Sequence, residues 1–230
     1  MKFAIGNLIF TDNNEEAQSC LDAGQLVVGT TTEVTCVKYI VEEPEELTEF
    51  DLDRIERRLT GKPWNIMQVD NILIRELCID DVPALCKLYN QEHVKEFMEP
   101  LYEGDEEVEY QKNYIKYIYG FYNFGMWLAF DTQNDNKLVG RIGLEFREET
   151  CSENEAELGY VIDEQYLRQG LASKLCKKII EYGFEELDLN RILIRIEKEN
   201  EVSIHLAEKL GFIFMGQDGK FSCFFKSREL

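Results

Sequence analysis

Apolar positions along the chain follow two rhythms. Short apolar runs bounded by turn residues read as strands. They are Leu8-Ile9-Phe10, Leu26-Val27-Val28, residues 37–41, Ile72-Leu73-Ile74-Arg75, residues 125–130, 138–146, 158–162, 191–196 and 221–225. Elsewhere apolar residues recur every three or four positions and predict helices. Residues 14–23 turn Ala17, Cys20 and Leu21 inward and stop at Gly24. Residues 45–59 place Leu52, Ile55 and Leu59 on one face and end at Gly61-Lys62-Pro63. Asp80-Asp81-Val82-Pro83 opens a helix carrying Leu85, Leu88 and Tyr89, with acidic groups and proline where a helix start favours them. A stripe of Tyr110, Tyr114, Tyr117 and Phe121 predicts a helix with its aromatic side in the core. Leu171, Leu175, Cys176, Ile179, Ile180, Phe184 and Leu187 mark a long amphipathic helix, and a short one runs from Asn200 to Leu210-Gly211-Phe212.

From residue 72 the order is β-α-α-β-β-β-α-β-α-β-β. That order predicts an α/β (α+β) fold, a mixed and mostly antiparallel sheet flanked by helices. The residues before it form a small α/β module. The expected division is 1–68 and 69–230.

Charge narrows the partners. The 230-residue chain has a net charge of −20. Residues 1–70 hold 6 basic and 14 acidic side chains, and residues 71–230 hold 19 and 31, so the acidity is spread throughout. Such a surface disfavours nucleic acid and suits a cationic acceptor or solubility alone. No apolar run approaches the ~18 residues of a membrane span, and the first residues lack a signal-peptide core. Seven cysteines are present without metal-knuckle spacing, which points to a reducing cytoplasm and no metal site.

The chemistry concentrates in residues 157–212. A strand, Leu158-Gly159-Tyr160-Val161-Ile162, feeds a polar loop that ends Arg168-Gln169-Gly170-Leu171-Ala172 and opens a helix. The first amides of a helix lack intrahelical partners, and together with the helix dipole they attract anions. Gly170 and Ala172 keep bulk away from such a ligand, and Arg168 adds charge. Turn geometry alone is the other reason for a glycine between strand and helix.

Read together, Arg168-Gln169-Gly170-Leu171-Ala172, Asn200-x-x-Ser203 and Lys209-Leu210-Gly211-Phe212 resemble the GNAT superfamily of acetyl-CoA-dependent N-acetyltransferases, in particular its Rim-type branch. The resemblance covers roughly residues 72–226. It implies acetyl-CoA as co-substrate, with the amides of Arg168, Gln169, Gly170, Leu171 and Ala172 on the pyrophosphate. It also implies Val161 and Ile162 on the pantetheine arm, Asn200 and Ser203 along that arm, and an oxyanion-binding amide near Tyr160 or Val161. Glu157, then Glu145, are the implied carboxylates beside the amine. Tyr117, Tyr122 and Phe124 are candidates to face the acceptor. Two positions depart from the wider superfamily: Leu167 stands where Arg or Gln is usual, and Ala207 where a proton-donating Tyr is usual. His205 is an alternative acid on the same helix. The implied reaction is direct attack by an amine, from a small molecule or a peptide, in a ternary complex. A homodimer is among the assemblies the resemblance allows. The alternative is a non-catalytic acyl-CoA-sensing or docking module.

Phe10-Thr11-Asp12, Asp22-Ala23-Gly24 and Val27-Val28-Gly29 resemble the carboxy-terminal half of a HAD-type phosphatase. No nucleophile-bearing half precedes them, so the resemblance implies a retained fragment rather than a hydrolase. Asp12 reads as a turn residue capping the next helix, with metal ligation as the alternative.

Overall fold

The computed structural model describes residues 2–228. The chain forms two compact units, residues 1–65 and residues 66–230.

In the first unit, β1 (Lys2–Ile5) and β2 (Leu8–Thr11) make an antiparallel hairpin. The helix α1 (Asn14–Asp22) crosses over to β3 (Leu26–Gly29), which lies parallel to β2. One apolar cluster gathers Leu8, Phe10 and Val28 against Ile55 of α2 (Glu49–Leu59). The other packs Val27 and Val34 on Ala17 and Cys20 of α1. The strand β1 is absent from the sequence reading. The strand expected at 37–41 reduces to a single bridge between Ile40 and Gly29, because the residues just before it turn instead of running along the free edge of β3. The residue capping α1 is Asn13, whose side chain accepts from the Glu16 amide, and not Asp12. Likewise α2 starts four residues later than expected, where Thr48 and Asp51 form a reciprocal capping box.

The second unit is an eight-stranded sheet. It comprises β4 (Asn65–Val69), β5 (Ile72–Arg75), β6 (Met126–Asp131), β7 (Lys137–Glu145), β8 (Glu155–Ile162), β9 (Arg191–Glu197), β10 (Ile213–Asp218) and β11 (Phe221–Ser227). Their spatial order is β10-β11-β9-β8-β7-β6-β5-β4, and β8–β9 is a parallel pair. One face is covered by α7 (Leu171–Glu185). Leu144 of β7 and Ile192 of β9 crowd Gly183 of α7, and Trp127 of β6 meets Tyr182 edge-on. Strand alternation then sends Arg141, Gly143 and Glu145 to the opposite face. There the chain supplies α3 (Val82–Tyr89), α4 (Glu92–Lys95), α5 (Asp105–Asn113) and α6 (Gly120–Tyr122). The helix α8 (Glu201–Lys209) follows β9.

Between α5 and α6, residues Tyr114–Tyr119 form a π-helical segment. Its wider turn rephases the aromatic stripe. The expected core set fails in part: Tyr114 is buried, but Tyr117 is 56% and Phe121 78% exposed. Tyr119, five residues after Tyr114, takes the inward place, and the two rings meet edge-on. Both hydroxyls grip the start of β6: Tyr114 Oη accepts from the Met126 amide, and Tyr119 Oη donates to the Met126 carbonyl.

The close approach of β6 to β7 requires a glycine. A Cβ on Gly143 would lie 2.0 Å from the Gly125 carbonyl oxygen, whereas one on Gly120 would meet nothing within 4 Å. Gly143→Ala is expected to lower stability in urea unfolding by about 2–3 kcal/mol. Gly120→Ala should be neutral or stabilising by up to about 1 kcal/mol.

Candidate active site

The site is built where two strands stop pairing. The strand β8 stays on β7 from Glu157 to Ile162, and β9 stays on β11 along its whole length. Between β8 and β9 the ladder holds only three pairs, Glu155–Arg191, Ala156–Ile192 and Glu157–Leu193. Past them the strands part, and a cavity of about 490 Å³ opens. It is lined by residues of both sheet faces: Arg141, Glu145 and Glu157 from one, Tyr160, Asn200 and Ser203 from the other.

Backbone polarity in the gap follows from alternation. The Asp163 amide donates to the Val139 carbonyl of β7. Stepping back by twos, the amides of Val161 and Gly159 also face β7, and those of Ile162 and Tyr160 face the gap. The Ile162 carbonyl, pointing the same way, meets His93 Nε2 at 3.0 Å. Of the two strand residues expected along a pantetheine arm, Ile162 therefore offers its amide and Val161 spends its own on the sheet. Of the two expected oxyanion amides, the one turned to the gap is that of Tyr160.

Glu145 and Glu157 are direct cross-strand partners. Their side chains are 20% and 14% exposed, and Arg147 lies between them, 2.9 Å from Glu145 and 3.7 Å from Glu157. Tyr114 donates to Glu145 at 2.7 Å, and Thr150 donates to Glu157 at 3.3 Å. Burial pushes the Glu157 carboxyl above its ordinary range, with a smaller push from Glu145. The Arg147 and Arg195 charges and the Thr150 hydroxyl restrain that rise. Two carboxylates side by side would repel. The intervening guanidinium makes the pair tenable.

The loop before α7 is exposed and lies outside the cavity lining. Arg168 has φ +60° and Gly170 +78°, both left-handed, with Gln169 between them. Gly170 occupies the N-cap with no side-chain cap on the helix, and nothing lies within 4 Å of where its Cβ would be. The amides of Leu171 and Ala172 are thus uncapped and open to an anion. Gln169 folds its Nε2 back onto the Gln165 carbonyl. Across the gap Asn200 caps α8 by accepting from the Ser203 amide at 3.1 Å. Its Nδ2 donors are left over for a ligand.

Other expectations need correction. Tyr117, Tyr122 and Phe124 do not line the cavity; Tyr89 and Tyr110 do. Tyr122 stacks on Phe146 instead. His205 is exposed, bonds the Glu201 carbonyl in its own helix and lies outside the lining. The sequence reading passed over Arg141, Arg147 and Arg195, which all line the cavity. A lone charge inside the apolar run of β7 was a usable signal for Arg141. Arg147 sits in a loop with no such pattern. The Tyr160 side chain was also missed: its hydroxyl is enclosed beside Ser203 without a hydrogen bond of good geometry, and burial raises its pKa. No cluster of potential metal ligands occurs among the described residues, and no described helix is long and apolar enough to cross a membrane.

Known proteins resemble this chain in sequence and in fold. The family model for the acetyltransferase (GNAT) domain matches residues 71–213. An uncharacterized N-acetyltransferase of Bacillus subtilis, YoaA, is 28% identical over 149 residues, covering 64% of this chain and 82% of that protein. The fold is similar to that of a ribosomal-protein-S5-alanine acetyltransferase from Vibrio fischeri, with TM-score 0.57, 17% identity, and 70% and 95% of the two chains covered. It is also similar to spermidine N-acetyltransferase from Vibrio cholerae in complex with CoA and spermine, with TM-score 0.57, 23% identity, and 69% and 96% covered. The family match begins after the first unit, and nothing in these likenesses supports a HAD-type origin for that unit.

The cap at Asn200 gives a direct test of this local geometry. Asn200→Ala should cost about 1 kcal/mol in urea unfolding, and Asn200→Asp, which can still accept from the Ser203 amide, much less.

Proposed function

The chain belongs to the GNAT acetyltransferase family, and on that footing we propose that an amine attacks acetyl-CoA directly, in a ternary complex held in the β8–β9 cleft. The chain is an N-acetyltransferase that uses acetyl-CoA. The observation that carries the mechanism is the early end of the β8–β9 ladder, because it opens a passage lined from both faces of the sheet.

Acetyl-CoA supplies an activated acetyl thioester. The uncapped amides of Leu171 and Ala172, with the left-handed Arg168 and Gly170, suit its diphosphate. The Ile162 amide and Asn200 suit the arm that follows. The gap-facing Tyr160 amide is placed to bear on an oxygen gaining negative charge. On the opposite face Glu157, paired with Glu145, accepts or relays the amine proton. A carboxylate is a weak base toward an ammonium, so the upward push from burial works in its favour. The transferase is assigned to the second unit, whose sheet begins with β4, a few residues before the expected boundary at 68/69; the start of the family match supports this. The competing reading, an acyl-CoA sensor without turnover, is favoured by Ala207 at the place of a proton-donating Tyr.

Thiol release measured across a panel of amines separates the two readings: a sensor binds acetyl-CoA and releases no thiol with any of them. Gly170→Glu places bulk and negative charge at the diphosphate position, so acetyl-CoA affinity should fall at least tenfold. Gly170→Asn, which tolerates the left-handed backbone, should keep most of it. Unchanged affinity in Gly170→Glu would show that the loop is not the diphosphate site.

Glu157 must be ionised to take a proton, so kcat/KM should decline as pH falls through its raised pKa. Glu157→Gln should reduce kcat/KM by about 10²-fold or more and remove that part of the acid limb. A mutant profile of unchanged shape and height would exclude Glu157 as the proton acceptor.

A further inference from the structure

On the acceptor side of the cleft lies a cation without an anion. Arg141, in the middle of β7, is 7% exposed and lines the cavity. Its Nη1 donates to the Tyr89 hydroxyl at 3.3 Å. Its Cζ lies 5.9 Å and 5.6 Å from the ring centroids of Tyr89 and Tyr114. Its Nε is buried with no hydrogen-bond partner, and among the described residues no carboxylate stands within ion-pair distance of it. Arg168 on the exposed loop aside, other arginines of this unit are matched, among them Arg75 with Asp81, Arg147 with Glu145 and Glu157, and Arg195 with Asp218.

A guanidinium stays charged at any working pH, and burying it unpaired is costly. Two tyrosine rings offset only part of that cost. The arrangement makes sense when a ligand completes it. The guanidinium fork takes carboxylate or phosphate oxygens in pairs. The negative end of the same cavity is close by. Tyr114 lays its ring against Arg141 and donates its hydroxyl to Glu145, so one side chain spans the distance between cation and carboxylate.

We propose that Arg141 binds an anionic group on the acceptor, so that the acceptor is a compact amine carrying a carboxylate or phosphate a few bonds away. Its amine points to Glu145 and Glu157 and its anion to Arg141. A polycation such as spermidine would instead bring like charge against the buried guanidinium. This assignment rests on the acetyl-transfer reading and names its acceptor class.

The test pairs matched probes: L-alanine and β-alanine against their carboxamides, phosphoethanolamine against ethanolamine, and spermidine. Each is scored by kcat/KM for thiol release and by calorimetric binding to the CoA complex. An anionic member should exceed its neutral partner, and spermidine, by at least about tenfold, the size of a charge-assisted hydrogen bond. Whether the carboxylate or the phosphate arm shows the larger ratio identifies the anion. Arg141→Met, which keeps much of the volume, should bring the ratio near one while leaving the KM for acetyl-CoA unchanged. Arg141→Lys, which keeps the charge but not the fork, should retain part of it. The wild-type ratio is readable even where a variant fails to fold. Neutral probes or spermidine matching the anionic ones would overturn the proposal. So would no binding of any anionic probe to a protein that still binds CoA, or an unchanged ratio in Arg141→Met. Loss of the Gly170 dependence of acetyl-CoA binding would instead strike the reading beneath it.

Discussion

Everything at the site depends on how β8 divides its hydrogen bonds. It is tied to β7 along six residues and to β9 along three. Each of the two strands is held on its far side by a longer antiparallel ladder, so neither can bend to close the gap. The sheet behaves as two plates joined at one end. A strand edge left unpaired inside a protein is costly unless something takes up its amides and carbonyls. The amide groups of a bound pantetheine arm can do so, and His93 already serves one carbonyl.

Because the opening passes between strands, side chains from both faces reach it. Strand alternation then separates the tasks. Residues 157 and 145 look toward the tyrosine-rich helices, while residue 160 looks toward α7 and α8. The negative charges are held in position on the first side. Arg147 sits between two glutamates, and Tyr114 fixes the orientation of Glu145. Tyr114 reaches that place because the π-helical turn brings it and Tyr119 onto the same strand start. The widened helix and the carboxylate pair are therefore parts of one arrangement, and a regular α-helix would have turned a different tyrosine inward.

Elements with strong local patterns were legible from residues alone. The strand at 158–162, the long helix after Gly170 and the cap at Asn200 all stand where periodicity and capping chemistry put them. The failures have separate physical causes. The strands β1 and β4 carry polar residues such as Lys2, Asn65 and Gln68, so no apolar run stands out as it does in the comparably short β2, β3 and β5. The residues at 37–41 have strand composition, but the turn before Ile40 keeps them off the free edge of β3. The tyrosine stripe was read with a period of 3.6, and the π segment broke that period.

By itself the sequence determined the strongly patterned strands and helices, the glycine that opens the long helix and the cap at Asn200, because each is set by neighbours along the chain. Tertiary structure alone decided that β8 leaves β9 after three pairs, that Arg147 stands between two glutamates, and that Arg141 is buried with no counter-ion among the described residues. Those features depend on which distant segments share a ladder or a cavity, and no spacing within a single segment encodes that.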